Sequence, residues 1–202
     1  MINAEIIKQL RERTGVGILD CKKALLMHDG DMANALNFLR ERGISDQRTK
    51  INRTTAEGII DSYIHGNGRI GVLLEVNIET DFAALSKDFR EFVKDVGMQI
   101  AAASPKYIKR EDIPLEVVEN EKEAIRAQAN KTGKDEKIVD RIIEGRMEKF
   151  YKNVCLLEQP FIKDPDISVQ QLLNSKISVI GENIVIRRFV RFETGEGINR
   201  KV

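Results

Sequence analysis

Tryptophan is absent, cysteine occurs only twice, and no uninterrupted apolar run approaches the roughly 18 residues that span a bilayer. Each shortage removes a class of function. The opening MINAEIIKQLRERTG carries polar or charged groups every few positions, so neither a leader peptide nor a membrane anchor is expected, and the predicted location is cytoplasmic. Cys21 and Cys155 form no CxxC pair, and neither His28 nor His65 stands at zinc-finger spacing from them, so no metal site is expected. The two read as free thiols in a reducing compartment, or simply as small buried apolar groups. Lysine and arginine number 33 against 32 acidic residues, and the net charge of +1 gives no field for holding a phosphate backbone. With few aromatics to stack bases, direct nucleic-acid binding is not expected. There is no P-loop spacing, no glycine-rich dinucleotide turn after a strand and no HExxH pair. A bond-making enzyme is therefore not expected, nor is a cofactor.

What the chain has is ordinary globular composition, 42% hydrophobic and 32% charged over 202 residues, enough for one domain with a satellite. The satellite reads as residues 1–45. Asn3 can cap a first helix carrying Ile6, Ile7 and Leu10 up to Thr14-Gly15. A second pattern runs through Ile18, Leu19, Cys21, Ala24, Leu25 and Leu26 to a turn at Asp29-Gly30-Asp31. A third carries Met32, Ala35, Leu36 and Leu39 and stops at Gly43. Three such helices make a small bundle. Ile18 and Leu19 are either part of its core or, with Arg11, a docking face. Residues 46–56 are polar and read as a connector, with Arg48, Lys50 and Arg53 solvated.

Residues 57–202 predict an α+β core. Ile59 to Ile64 alternate, Gly66-Asn67-Gly68 turns the chain, and Ile70, Val72, Leu74 and Val76 share an apolar face, which is a β-hairpin. His65 at its tip is a solvated turn residue or a partner contact. Leu85, Phe89, Phe92, Val93, Val96 and Ile100 then mark a helix that ends before Pro105. Residues 105–162 read as an inserted antiparallel helical hairpin, with Leu115, Val118, Ile125 and Ala129 on one helix and Ile138, Ile142, Met147, Phe150 and Val154 on the other. Its charged faces are a solvated surface or a partner arm. A short helix through Leu173 follows Ser168, and Lys176 to Glu193 reads as two strand segments broken by Gly181-Glu182-Asn183. In the second segment Ile184, Ile186 and Val190 share one face, with Arg187, Phe189 and Arg191 on the other. A small antiparallel sheet packed by helices is the economical assembly.

The segment Glu75 to Phe82, EVNIETDF, joins hairpin to helix and has two readings. In the local one, Thr80 or Asp81 caps the next helix and Phe82 enters the core. In the other, Asp81 and Phe82 form an anion beside an apolar wedge, mounted between a strand and a helix.

Leu10 to Leu25, LRERTGVGILDCKKAL, resembles the N-terminal signature of the bacterial elongation factor Ts family. Ile143 to Phe150, Glu158 to Phe161 and Arg191 to Gly197 are similar to that family's coiled-coil arm, the loop after it and its last strand. The resemblance implies a ubiquitin-associated-like head docking on the nucleotide domain of elongation factor Tu through Arg11, Ile18 and Leu19; with such a partner, the contact reading of His65 makes it a further partner-binding residue. It implies a partner met in GDP-bound and nucleotide-free forms. It assigns displacement of the partner's magnesium to Thr80, Asp81, Phe82 and Ala83. Because only one copy of the sheet unit is present, it implies a homodimer. Where the family usually has valine after TDF and a basic or amide residue two positions on, this chain has Ala83, Ala84 and Leu85. Two rival readings are a peptide-binding adaptor built on the head, and an RNA-binding protein using Arg187, Arg188 and Arg191.

Overall fold

The computed structural model describes residues 4–14, 18–39, 53–130 and 135–198. The Asn3 cap, the turn at Gly15 to Gly17, the Gly43 stop, most of the connector and the turn at Lys131 to Lys134 lie outside them. The architecture is α+β. Two compact units divide the chain, one of residues 1–60, 75–93 and 171–186, the other of 61–74, 94–170 and 187–202.

In the first unit α1 (Ala4–Thr14), α2 (Ile18–Met27) and α3 (32–39) share one apolar cluster of Leu10, Cys21, Ala24, Leu25, Ala35 and Leu39. Asp31 starts α3 by accepting from the backbone N–H groups of Ala33 and Asn34 at 2.8 and 3.0 Å, which satisfies two otherwise orphaned donors. The turn before it uses left-handed Asp29 and Gly30.

Strands β1 (Glu57–His65), β2 (Ile70–Ile78) and β5 (Ile184–Glu193) form a three-stranded sheet in the order β1-β2-β5. The hairpin turn puts Gly66, Asn67 and Gly68 at φ of 61°, 55° and 85°, a run that explains the two glycines. After β2 comes a single turn, α4 (Asp81–Ala84), and then α5 (Lys87–Ala103). Val76, Ile78, Phe89, Phe92 and Val93 are buried in the first unit, and each fully buried phenyl contributes about 2–3 kcal/mol. Leu85, expected on this apolar stripe, is exposed instead. It ends α4, where its N–H bonds back to Asp81 and Phe82, so the stripe begins only at Phe89.

The strand expected from Lys176 is helix: α8 runs unbroken over Val169–Ile180. Val169, Leu173 and Ile177 are all buried at a spacing of four, and the Ser178 hydroxyl donates back to the Asn174 carbonyl. The helix stops at Gly181, whose φ is +87°. Alternation of Ile177, Val179 and their polar neighbours imitated a strand, but burial follows the helical period.

In the second unit α5 passes close over the sheet at Gly97, where a Cβ would stand 3.1 Å from Cβ of Tyr63. Arg191 donates to the Ala101 carbonyl and pairs with Glu193 at 2.7 Å, which ties up one of the three arginines on which an RNA-binding reading leaned. Phe189 and Arg191 are half-buried here while Val190 is exposed, so the burial pattern that starts with Ile184 and Ile186 changes phase along β5.

Helices α6 (Leu115–Asn130) and α7 (Glu136–Val154) bury Ile125, Ala129, Val139 and Met147. Arg126 lies 3.9 Å from Asp140 and Arg146 donates to Gln128, so α7 runs back along α6. Leu115 and Ile138, expected on the packed stripes, are exposed near the helix starts. Sequence reading also missed a two-stranded sheet, β3 (Pro160–Phe161) against β4 (Asp164–Ser168).

The base of this helix pair is polar. Arg110 binds Glu158 through Nε and Nη2 and Glu148 through both terminal nitrogens, while its guanidinium lies 4.2 Å from the Tyr151 ring centre. Hydrogen bonding from Arg110, helped by its charge, holds the Glu148 carboxyl below its ordinary range. Gln99, buried, donates to the Gln159 side chain at 3.1 Å and accepts from the N–H of Ile162, and Gln159 donates to the Asn153 carbonyl. Glu158-Gln159-Pro160-Phe161 is thus a structural clamp in which every side chain but the proline's is held or buried.

Both cysteines are buried, and the two are not joined in a disulfide. Burial pushes the Cys155 thiol up to about 11. Unfolding then releases a proton between pH 9 and 11, so stability falls as pH rises through that window. At pH 8 iodoacetamide should label Cys155 in the native chain no faster than the chain opens, a result read by mass spectrometry against a urea-unfolded control; rapid native labelling would contradict the burial.

Candidate functional site

Thr80 sits between strand and helix with extended backbone, and its hydroxyl accepts from the N–H of Ala83 at 3.2 Å. It is the N-cap of α4, as the local reading of the sequence required. The other half of that reading fails, because Phe82 is 85% exposed and enters no core. Ala83 and Ala84 supply the buried side of the turn at 6% and 4% exposure. Phe82 and Leu85 stand three residues apart, neighbouring positions on a helical turn, and both face solvent. Asp81 is exposed too, and its Oδ1 accepts from the N–H of Phe82 at 2.7 Å.

Two residues that sequence reading passed over hold this turn. Glu182 accepts from the Thr80 hydroxyl at 2.8 Å and from the Thr80 N–H at 3.0 Å. In the reverse direction Glu79 accepts from the N–H of Asn183 at 2.6 Å and pairs with Arg53 at 3.5 Å. The Asn183 amide donates to the Arg53 carbonyl. Arg53, expected to be merely solvated, is therefore part of the mount. The only hint in the sequence was the Gly181-Glu182-Asn183 interruption, since about a hundred residues separate each carboxylate from its partner.

On the head, Ile18 and Leu19 are 52% and 73% exposed, with Leu26 and Met27 also exposed along α2. Arg11 is exposed in the last turn of α1. Leu25 beside them is buried, so the helix is apolar on two sides, of which one joins the bundle's apolar cluster among the described residues. His65 is exposed at the end of β1, stacked on Tyr63 with ring centres 6.1 Å apart and its Nδ1 3.3 Å from the tyrosine hydroxyl. In the second unit a groove of about 270 Å³ lies along α6 and α7, lined by Ile125, Phe150, Arg146 and polar neighbours. Among the described residues no cluster of three His, Cys, Asp or Glu could hold a metal ion, and no helix is long and apolar enough to cross a membrane.

The chain is thus an α+β protein whose most exposed phenylalanine among the described residues, Phe82, stands beside the Asp81 carboxylate on a braced turn. Its family follows from comparison with known proteins. The family model described as Elongation factor TS matches residues 31–196. Proteins named elongation factor Ts from Acetivibrio thermocellus and Heliobacterium modesticaldum are 63% and 56% identical to it over 201 residues, covering all of this chain and 94% of theirs. The one from Caldanaerobacter subterraneus subsp. tengcongensis is 58% identical over 200 residues, covering 99% of this chain and all of its own. The chain belongs to the elongation factor Ts family.

Proposed function

We propose that this chain is a guanine-nucleotide exchange factor for elongation factor Tu, releasing GDP by disturbing the magnesium and phosphate end of the partner's pocket. The observation that carries the reading is Phe82, 85% exposed on a turn that its neighbours hold rigidly. An aromatic left in water on a braced turn costs solvation unless a partner covers it.

Bound GDP in a GTPase depends on magnesium bridging phosphate and protein oxygens and on the phosphate loop's backbone donors. In this reading Asp81 brings a negative charge to the metal's polar surroundings, and Phe82 shifts the packing beneath them. Thr80, exposed, caps the turn and Ala83 fills its buried side, and with Asp81 and Phe82 they make up the segment that displaces the partner's magnesium. The head, taken as residues 1–45 with a ubiquitin-associated-like bundle, docks through Arg11, Ile18 and Leu19. The connector is residues 46–56, and the core 57–202 carries the helical arm at 105–162. His65 is a further contact. By linkage, whatever factor the chain takes from GDP affinity, GDP takes from the chain's own, so the partner passes through both GDP-bound and nucleotide-free complexes. Such a factor works in the cytoplasm and makes no covalent bond itself.

The homodimer is supported by the second unit's outer sheet face, where Ile64, Leu73, Val190 and Phe192 are exposed on the side away from α5. A second copy laid on that face would cover it. Sedimentation should give twice the monomer mass, and Phe192→Lys should return it to one.

The exchange reading is tested by loading elongation factor Tu with fluorescent GDP and chasing with unlabelled GDP. Release should accelerate with added chain and saturate. A rate indifferent to the chain would end the reading.

A further inference from the structure

We propose, on the ground of the exchange reading, that Glu182 is a positioning residue for the Asp81-Phe82 turn, setting how fast GDP leaves rather than how tightly the partner is held. A helix of one turn cannot hold itself, since nucleation fixes several residues for a single hydrogen bond. α4 has only Asp81–Ala84, so its orientation comes from its cap. That cap is a hydroxyl with one proton and two lone pairs. The Thr80 hydroxyl donates its hydrogen bond to Glu182 Oε1 at 2.8 Å, which leaves a lone pair to accept from the Ala83 N–H at 3.2 Å. Glu182 Oε2 meanwhile takes the Thr80 N–H at 3.0 Å and fixes the last peptide before the turn. One carboxylate thereby sets both the hydroxyl rotor and the backbone from which Phe82 projects.

The neighbouring contacts separate this role from simple folding. The loop bearing Glu182 is anchored independently, because Asn183 donates its N–H to Glu79 and its amide to the Arg53 carbonyl. Removing the Glu182 carboxylate leaves those bonds, the buried Ile184 and the end of α8 in place. The turn then keeps its location but loses its fixed direction. Misplacement of a reacting group by about 1 Å can cost on the order of a hundred-fold in rate, and a loosened direction costs less.

The test is the fluorescent GDP chase with the full chain at a series of concentrations, run on wild type, Phe82→Ala, Glu182→Ala, Glu182→Gln, Thr80→Val and the Thr80→Val/Glu182→Ala double variant. Glu182→Ala should lower the maximal release rate about ten-fold while the half-saturating concentration moves less than about two-fold. In the Thr80→Val background the same change should cost clearly less than about ten-fold, because the route through the hydroxyl is already gone and only the bond from the Thr80 N–H remains to be lost. Should Glu182→Ala fail to fold by circular dichroism, Glu182→Gln keeps the shape with one acceptor fewer and should lose about three-fold. Wild-type release by either glutamate variant, or an undiminished ten-fold loss in the Thr80→Val background, overturns the assignment. If wild type accelerates release and Phe82→Ala does not, the exchange reading stands whatever Glu182 does. If wild type gives no acceleration, that reading falls and takes this assignment with it.

Discussion

Phe82→Ala should reduce chain-stimulated GDP release from elongation factor Tu about 30-fold, the equivalent of a contact worth about 2 kcal/mol, with a melting temperature unchanged within about 2 °C. The second half of that expectation follows from exposure. At 85% exposed, the ring buries almost nothing in the free chain, so its removal leaves no cavity and costs little stability. A buried phenylalanine would behave oppositely, and Phe89 or Phe92, both fully buried, supply that comparison: either change to alanine should cost about 3–5 kcal/mol of folding stability. Asp81→Ala should fall on the same side as Phe82→Ala, since the carboxylate is exposed and accepts from its own neighbour's N–H rather than bracing another element among the described residues. A Phe82→Ala chain that exchanges normally would mean the ring is exposed without purpose. One that unfolds would mean that it is not exposed in solution.

Gly58→Ala should be the most damaging single methyl in the sheet, lowering folding stability by about 2–4 kcal/mol. Gly58 opens β1 at φ +147°, a region closed to residues with a Cβ. An added Cβ would stand 2.3 Å from the Val76 carbonyl oxygen and 2.7 Å from Cα of Asn77. Both obstacles are backbone of β2, just before the strand delivers Glu79 and Thr80, so neither can swing aside. The Asn77 side chain donates to the Glu57 carbonyl at 3.1 Å across the same crossing, which holds the two strand ends together. Urea denaturation reads the outcome as a lowered midpoint with an unchanged slope; a midpoint equal to the parent's would contradict the close approach.

Most of the framework was legible in the sequence because burial there obeys a period. The hairpin showed itself through alternation and its Gly-Asn-Gly turn, and Phe89, Phe92, Val93, Val96 and Ile100 fell on one helical face, all of them buried. The pattern misled where both periods fit a short apolar segment, as at Lys176 to Ile180, which is helix. It misled again at Leu85 and Leu115, apolar residues at helix ends that the fold leaves in water. The candidate site was legible as a place and not as a geometry. Local pattern could offer Thr80 as a cap, which it is. Whether Phe82 turned inward depended on Ala83 and Ala84 filling the buried side, and on Glu182 reaching Thr80 from another part of the chain. Hydrogen bonds of that separation have no periodic signature. The amide bonds between Gln99 and Gln159 were invisible for the same reason.

If the Asp81-Phe82 turn loosens GDP through the magnesium end of the pocket, timing release of fluorescent GDP from elongation factor Tu with and without this chain, once in millimolar magnesium and once in EDTA, will show it. Stripping magnesium already does part of the work assigned to the turn. Strong acceleration by the chain is expected in magnesium, with a clearly smaller fold-acceleration in EDTA, where spontaneous release has already quickened. An acceleration of the same size in both solutions, or none in magnesium, would contradict that role of the turn.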